Sequence, residues 1–167
     1  MDGIEGRRAL ARELGASATF GPGPEVALAV RELTGGRGAD VAIDLSGAYP
    51  ALHESIRMVG PDGRVVASGF YQGEATALRL GEEFHHNRVE IIASQIGSVP
   101  AAKRARWDLS RLQETVVDLI TAGRPDVTRL VSHRFRVEDA AAAFALLDTR
   151  PSSVLQVVLE FGSEDTA

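Results

Sequence analysis

Three short segments, "VAIDL" (41–45), "RVVASGF" (64–70) and "VEIIAS" (89–94), are apolar almost throughout. A strand with one wet face alternates apolar and polar residues, so continuous apolar runs of this length predict parallel strands packed on both faces. Between the first two runs, Pro50 opens a helix that turns Leu52, Ile56 and Val59 inward and stops at Gly60. "GPDG" then makes a turn, with Pro early and Gly late. Strands separated by helices predict βαβ units and an α/β fold.

The flanking pattern agrees. Ile4, Leu10, Ala11 and Leu14 form a helical stripe that ends at Gly15. "SATF" (17–20) is a short strand candidate. After Pro24, the residues Val26, Ala29, Val30 and Leu33 recur at i, i+3, i+4 and i+7, which predicts a helix. "YQGEATALRLGEEFHHNR" is less regular, with room for a short strand and one helical turn. Beyond Ser98 the pattern changes. "VPAAKRARW" reads as a connector, with Trp107 anchoring it in a core. A helix follows with Asp108 as N-cap and Leu109, Leu112, Val116, Leu119 and Ile120 on one face, closed by Gly123 and Pro125. A second helix carries Ala140, Phe144 and Leu147, and "VLQVVLEF" is a final strand. Two units are expected, 1–98 and 99–167.

Charge and composition narrow the chemistry. The net charge is −5 with both signs mixed and no basic stripe, which argues against a nucleic-acid or anionic-membrane partner. No apolar run approaches the roughly 20 residues of a membrane span, and the charged N-terminus does not resemble a signal peptide. A cytoplasmic location is the expectation. The absence of cysteine removes disulfides, thiol nucleophiles and Cys-ligated metals. His85 and His86, adjacent on a helix, would point about 100° apart and are poorly placed to chelate one ion.

Few motifs carry chemistry by themselves. Asp2, between what reads as the end of a strand and a helix, reads from position as a helix N-cap residue or part of a disordered terminus. The alternative is the acid that binds the adenosine ribose in doubly wound folds. "GGRGAD" lies after a helix and before a strand, the wrong order for anion binding at a helix N-terminus, and reads as a connecting loop. Glu82, Glu83, His85 and His86 read as a solvated turn.

As an ordered set, "D-x-x-x-x-R-x-x-x-A-x-x-L-G-A" (2–16), "T-G-G-R-G-A-D-V-A-I-D-L-S-G" (34–47) and "G-R-V-V-A-S-G" (63–69) resemble the medium-chain dehydrogenase/reductase superfamily, and its zinc-type alcohol dehydrogenases most. "W-D", "LVSHRF" and "LQVVLEF" follow in the matching order. The resemblance implies an NAD(P)-dependent oxidoreductase that moves a hydride between a small-molecule alcohol or polyol and nicotinamide, with zinc polarising the alcohol oxygen. By position, Asp2 would bind the ribose and favour NAD over NADP, with Arg7 beside the adenine end. Ser46 and Gly47 would line the crevice at the strand ends, and Gly69 and Phe70 would approach the nicotinamide half. Many relatives place a basic residue where this chain has Gln156.

The same resemblance implies what is missing. The family's zinc ligands have no counterpart here, and neither has its Gly-rich phosphate turn. The expected fold is therefore a partial doubly wound (Rossmann-like) parallel sheet lacking its first strand and most of its second, plus a C-terminal helical segment and a final strand. The chain would be a portion of a longer enzyme, binding NAD poorly and inactive alone. A homodimer through the strand Val89 to Ser94 is a further implication. A non-catalytic interaction module on this scaffold, or a zinc-independent quinone reductase of the same superfamily, are the alternatives. A methyltransferase-like domain would need an antiparallel final hairpin in place of the helix-rich 108–147 segment.

Overall fold

The computed structural model describes residues 1–162, which fall into two compact units that divide between Gly97 and Ser98. In the first unit, α1 (Glu5–Glu13) and α2 (Val26–Leu33) precede a β1–α3–β2 run: β1 is Ala39–Asp44, α3 Tyr49–Met58 and β2 Val59–Ala67. Strand β3 (Glu90–Ala93) completes a sheet of order β1-β2-β3, parallel throughout. The three apolar runs are thus the three strands, and Pro50 stands in the first turn of α3 as expected.

The register explains the core. Ala42, Val65 and Ile91 are partners across the sheet and share one face. Helix α3 packs on that sheet and α2 packs on α3. Leu52 and Ile56 from α3 join Val59, Val65 and Val89 in a single cluster. The opposite row, Ile43, Val66 and Ile92, is different: Ile43 is 63% exposed and Ile92 36%. The expectation of two covered faces therefore fails in this unit, where one face of the sheet stays open.

Local differences have local causes. "GPDG" lies inside β2 as a reversal so tight that a Cβ on Gly63 would sit 2.8 Å from the Gly60 carbonyl oxygen. Asp62 there adopts φ 58°, and the register slips between Ala39 and Val41. Residues 17–20 are not a strand; a single bond, Asp2 N–H to the Phe20 carbonyl (3.1 Å), ties them to the start of the chain. A strand needs a ladder, and one link does not make it. The 71–88 stretch holds no strand either, only a turn at Leu80–Phe84 broken at Glu82, whose ψ of −127° is not helical, followed by a helical turn at residues 85–86.

The second unit contains α4 (Leu109–Thr121), β4 (Val131–Arg136), α5 (Ala140–Thr149) and β5 (Gln156–Glu160), with β4 and β5 paired in parallel. Asp108 caps α4, its carboxylate accepting the Arg111 N–H at 2.8 Å. The apolar face of α4 is exposed, Val116 and Leu119 included. Trp107 is half-buried under the Arg111 guanidinium, 4.6 Å from its ring centre, a cation–π contact and not a deep anchor. β4 is an additional strand. In α5 the buried residues are Ala143 and Leu146, while Phe144 points outward.

Candidate functional site: a cleft at the carboxyl end of β1

Asp44 ends β1, and the chain must leave the sheet there. It does so through a turn held by the Asp44 carboxylate: Oδ1 accepts the Ser46 N–H at 2.8 Å and the Ser46 hydroxyl at 2.7 Å. Ser46 Oγ in turn accepts the Ala48 N–H at 3.1 Å. This is an Asx-turn extended by one hydroxyl, and it presents Gly47 at φ +69°. The loop after β2 is laid against it. Ser68 and Gly69 donate their N–H groups to the Asp44 carbonyl at 2.8 and 3.1 Å. The backbones of Gly47 and Gly69 come so close that a Cβ on Gly69 would lie 2.1 Å from the Gly47 nitrogen. A Cβ on Gly47 would lie 2.6 Å from the Phe70 carbonyl oxygen. Only glycine fits either place.

Phe70 stands beyond this contact, 83% exposed. Tyr71 returns inward and donates its hydroxyl to Asp44 Oδ2 at 2.7 Å. Burial, and then the bond to the neighbouring carboxylate, raise the Tyr71 phenol well above its ordinary value. Its ring lies 5.5 Å from that of Tyr49, whose hydroxyl reaches the Gly73 carbonyl at 3.0 Å.

Across from β1 the start of the chain forms the other wall. Asp2 Oδ1 accepts the Ile4 N–H at 2.8 Å, which leads the chain into α1. Arg7 faces the second carboxylate oxygen at 4.0 Å, and Arg8 Nη1 holds the Asp2 carbonyl at 2.5 Å. Between the walls lies a cavity of about 710 Å³ lined by Asp2, Arg7 and Ser46 among others, with the β1 edge along its side. Three of the six sequence-predicted site residues therefore share one cavity. The other three, Gly47, Gly69 and Phe70, form the adjoining pair of loops. Gln156 lies in the second unit, exposed on β5.

Two residues of this constellation were not singled out from sequence. Asp44 carried a signal, a carboxylate at the end of an apolar strand with serine two residues on. Tyr71 carried none, since its partner is 27 residues away.

A family model described as zinc-binding dehydrogenase matches residues 1–114. The chain belongs to that family. It is 31% identical over 159 residues to D-guloside 3-dehydrogenase of Escherichia coli K12, covering 95% of this chain and 43% of the relative. Its fold is similar to the crystal structure of an E. coli oxidoreductase/dehydrogenase of unknown specificity, with a TM-score of 0.80 at 20% identity, over 97% of this chain and 43% of the other. It is also similar to an NAD-dependent alcohol dehydrogenase, with a TM-score of 0.71 at 26% identity, over 96% and 42%. The chain thus spans less than half the length of these relatives, and its architecture is the partial Rossmann-like α/β fold expected of the family.

The family's metal does not fit the residues present. Cysteine is absent from the sequence, and among the described residues no three His, Asp or Glu side chains converge on one point. No zinc chemistry is assigned to this dehydrogenase-family chain. Among its described residues, no helix is long and apolar enough to cross a membrane.

Proposed function

We propose that this chain carries part of the dinucleotide site of an NAD-dependent alcohol or polyol dehydrogenase and does not catalyse hydride transfer by itself. The observation behind the reading is that Asp2 and Ser46 line one cavity, which runs along the β1 edge from Ala39 and reaches the carboxyl end of the strand at Ser46. Open α/β sheets bind ligands outside the carboxyl ends of their strands, which is where Ser46 stands. Asp2, with acceptor capacity left after its one backbone bond, would take the ribose hydroxyls; Arg7 would lie along the adenine end. Ser46 and the Gly47–Gly69 backbone contact would floor the crevice, and Phe70 would face the nicotinamide half. The bound nicotinamide would supply the hydride acceptor or donor. The carboxylate at Asp2 repels a 2′-phosphate, which favours NAD over NADP.

The sequence contains no G-x-G-x-x-G phosphate turn. Most of the pyrophosphate contact is therefore lacking, and weak binding follows. Small-molecule alcohol recognition and turnover would depend on parts that the longer relatives have and these 167 residues do not. The β3 edge would be available for pairing in a homodimer. Thermal melting with and without millimolar NADH tests the reading: a rise in Tm with NADH that is smaller with NADPH supports it, and equal responses to both, or none, count against it.

A further inference from the structure

Asp44 is 5% exposed and is the only buried ionisable side chain among the described residues. Burying a carboxylate is costly unless hydrogen bonds compensate it. Here three donors do so, Ser46 N–H and Oγ–H at Oδ1 and Tyr71 O–H at Oδ2. The Asp44 carbonyl takes two more, from Ser68 and Gly69. One residue is thus bonded to both loops that leave the carboxyl ends of β1 and β2, one loop on each side of the Gly47–Gly69 contact. The chemistry demands an acid at this place. Asparagine offers one acceptor oxygen, whereas three donors arriving from two directions need both oxygens of a carboxylate. The glycine contact sets the tolerance, because no side chain lies between the two backbones to take up a shift.

We propose that Asp44 is a positioning residue that couples the two crevice loops, so that releasing Tyr71 on the second loop loosens the Ser46–Ala48 turn on the first. The coupling stands on the hydrogen bonds alone; its purpose, holding the floor of the cofactor crevice, rests on the dinucleotide reading above. Tyr71→Phe removes one hydroxyl from the second loop and touches nothing in the first. Tyr49→Phe is the control, since Tyr49 bonds to Gly73 and not to Asp44.

The test is native-state amide hydrogen exchange, read residue by residue on the whole chain for wild type, Y71F, Y49F and D44A. Y71F is expected to speed exchange at Ser46 and Ala48 at least tenfold while Val65 in the sheet core stays unchanged; Y49F leaves Ser46 and Ala48 as they were. D44A, where it folds, speeds Ser46, Ser68 and Gly69 together. Acceleration spread evenly over the sheet, or none at Ser46 in Y71F, would overturn the coupling. NADH titration of the same samples separates the two ideas. If wild type binds NADH, Y71F should weaken it at least tenfold, and an unchanged affinity would overturn the positioning role. If wild type binds no NADH, the dinucleotide reading fails, while the exchange data still decide the coupling.

Discussion

At the scale of single residues the strictest constraint is the backbone contact between Gly47 and Gly69. A Cβ 2.1 Å from a backbone nitrogen cannot be absorbed by a side-chain rotation. Gly69→Ala is expected to destabilise the first unit by about 3 kcal/mol, the upper part of the range for overpacking, as read from urea denaturation midpoints. Tyr71 gives a pH signature. Its phenol is raised in the folded chain above the ordinary value of about 10, so the folded state holds that proton where the unfolded state has lost it. Its contribution to stability is complete below pH 10 and is lost as pH rises above it. Melting from pH 9 to 11 should show a steeper fall in wild type than in Y71F. Asp2 sets cofactor choice in our reading. Asp2→Ala should narrow the preference for NADH over NADPH by roughly tenfold, about 1.4 kcal/mol, measured by competitive titration.

At the scale of elements, burial decides which substitutions matter. Ile56 is fully buried in the cluster under the sheet, and Ile56→Ala should cost about 2–5 kcal/mol. Leu119, on the exposed face of α4, should cost well under half as much. Loss of the Asp108 cap should cost about 1 kcal/mol in α4, seen as a lower Tm with unchanged circular dichroism shape. The elements legible in the sequence are those whose signal is local. Pro50, the Val26–Val30 stripe and the Asp108 cap specify their helices within one or two turns. Residues 17–20 misled because a strand belongs to a pair, and their composition says nothing of the partner. In "VSHRFR" the alternation of half-buried Val131, His133 and Phe135 with exposed residues was present, but its charges disguised it. In the candidate site, the Ser46–Gly47 turn followed from the strand end, whereas the Tyr71 bond to Asp44 is a long-range contact with no local mark.

At the scale of the whole molecule, an open sheet face with Ile43 and Ile92 exposed, together with unpaired strand edges, favours association. Light scattering should find mass rising with concentration, and Ile43→Lys with Ile92→Lys should reduce it without lowering Tm. A discrete dimer untouched by those substitutions would favour an interaction module instead. The chain is expected to keep a partial cofactor site without being a working enzyme. Titration of NADH into the isolated chain, followed by nicotinamide fluorescence, tests it most directly. We expect saturable binding with Kd of about 1 mM, weakened by Asp2→Ala, and no NADH formed from NAD and an alcohol. No saturable binding, or a submicromolar Kd accompanied by alcohol oxidation, would contradict it.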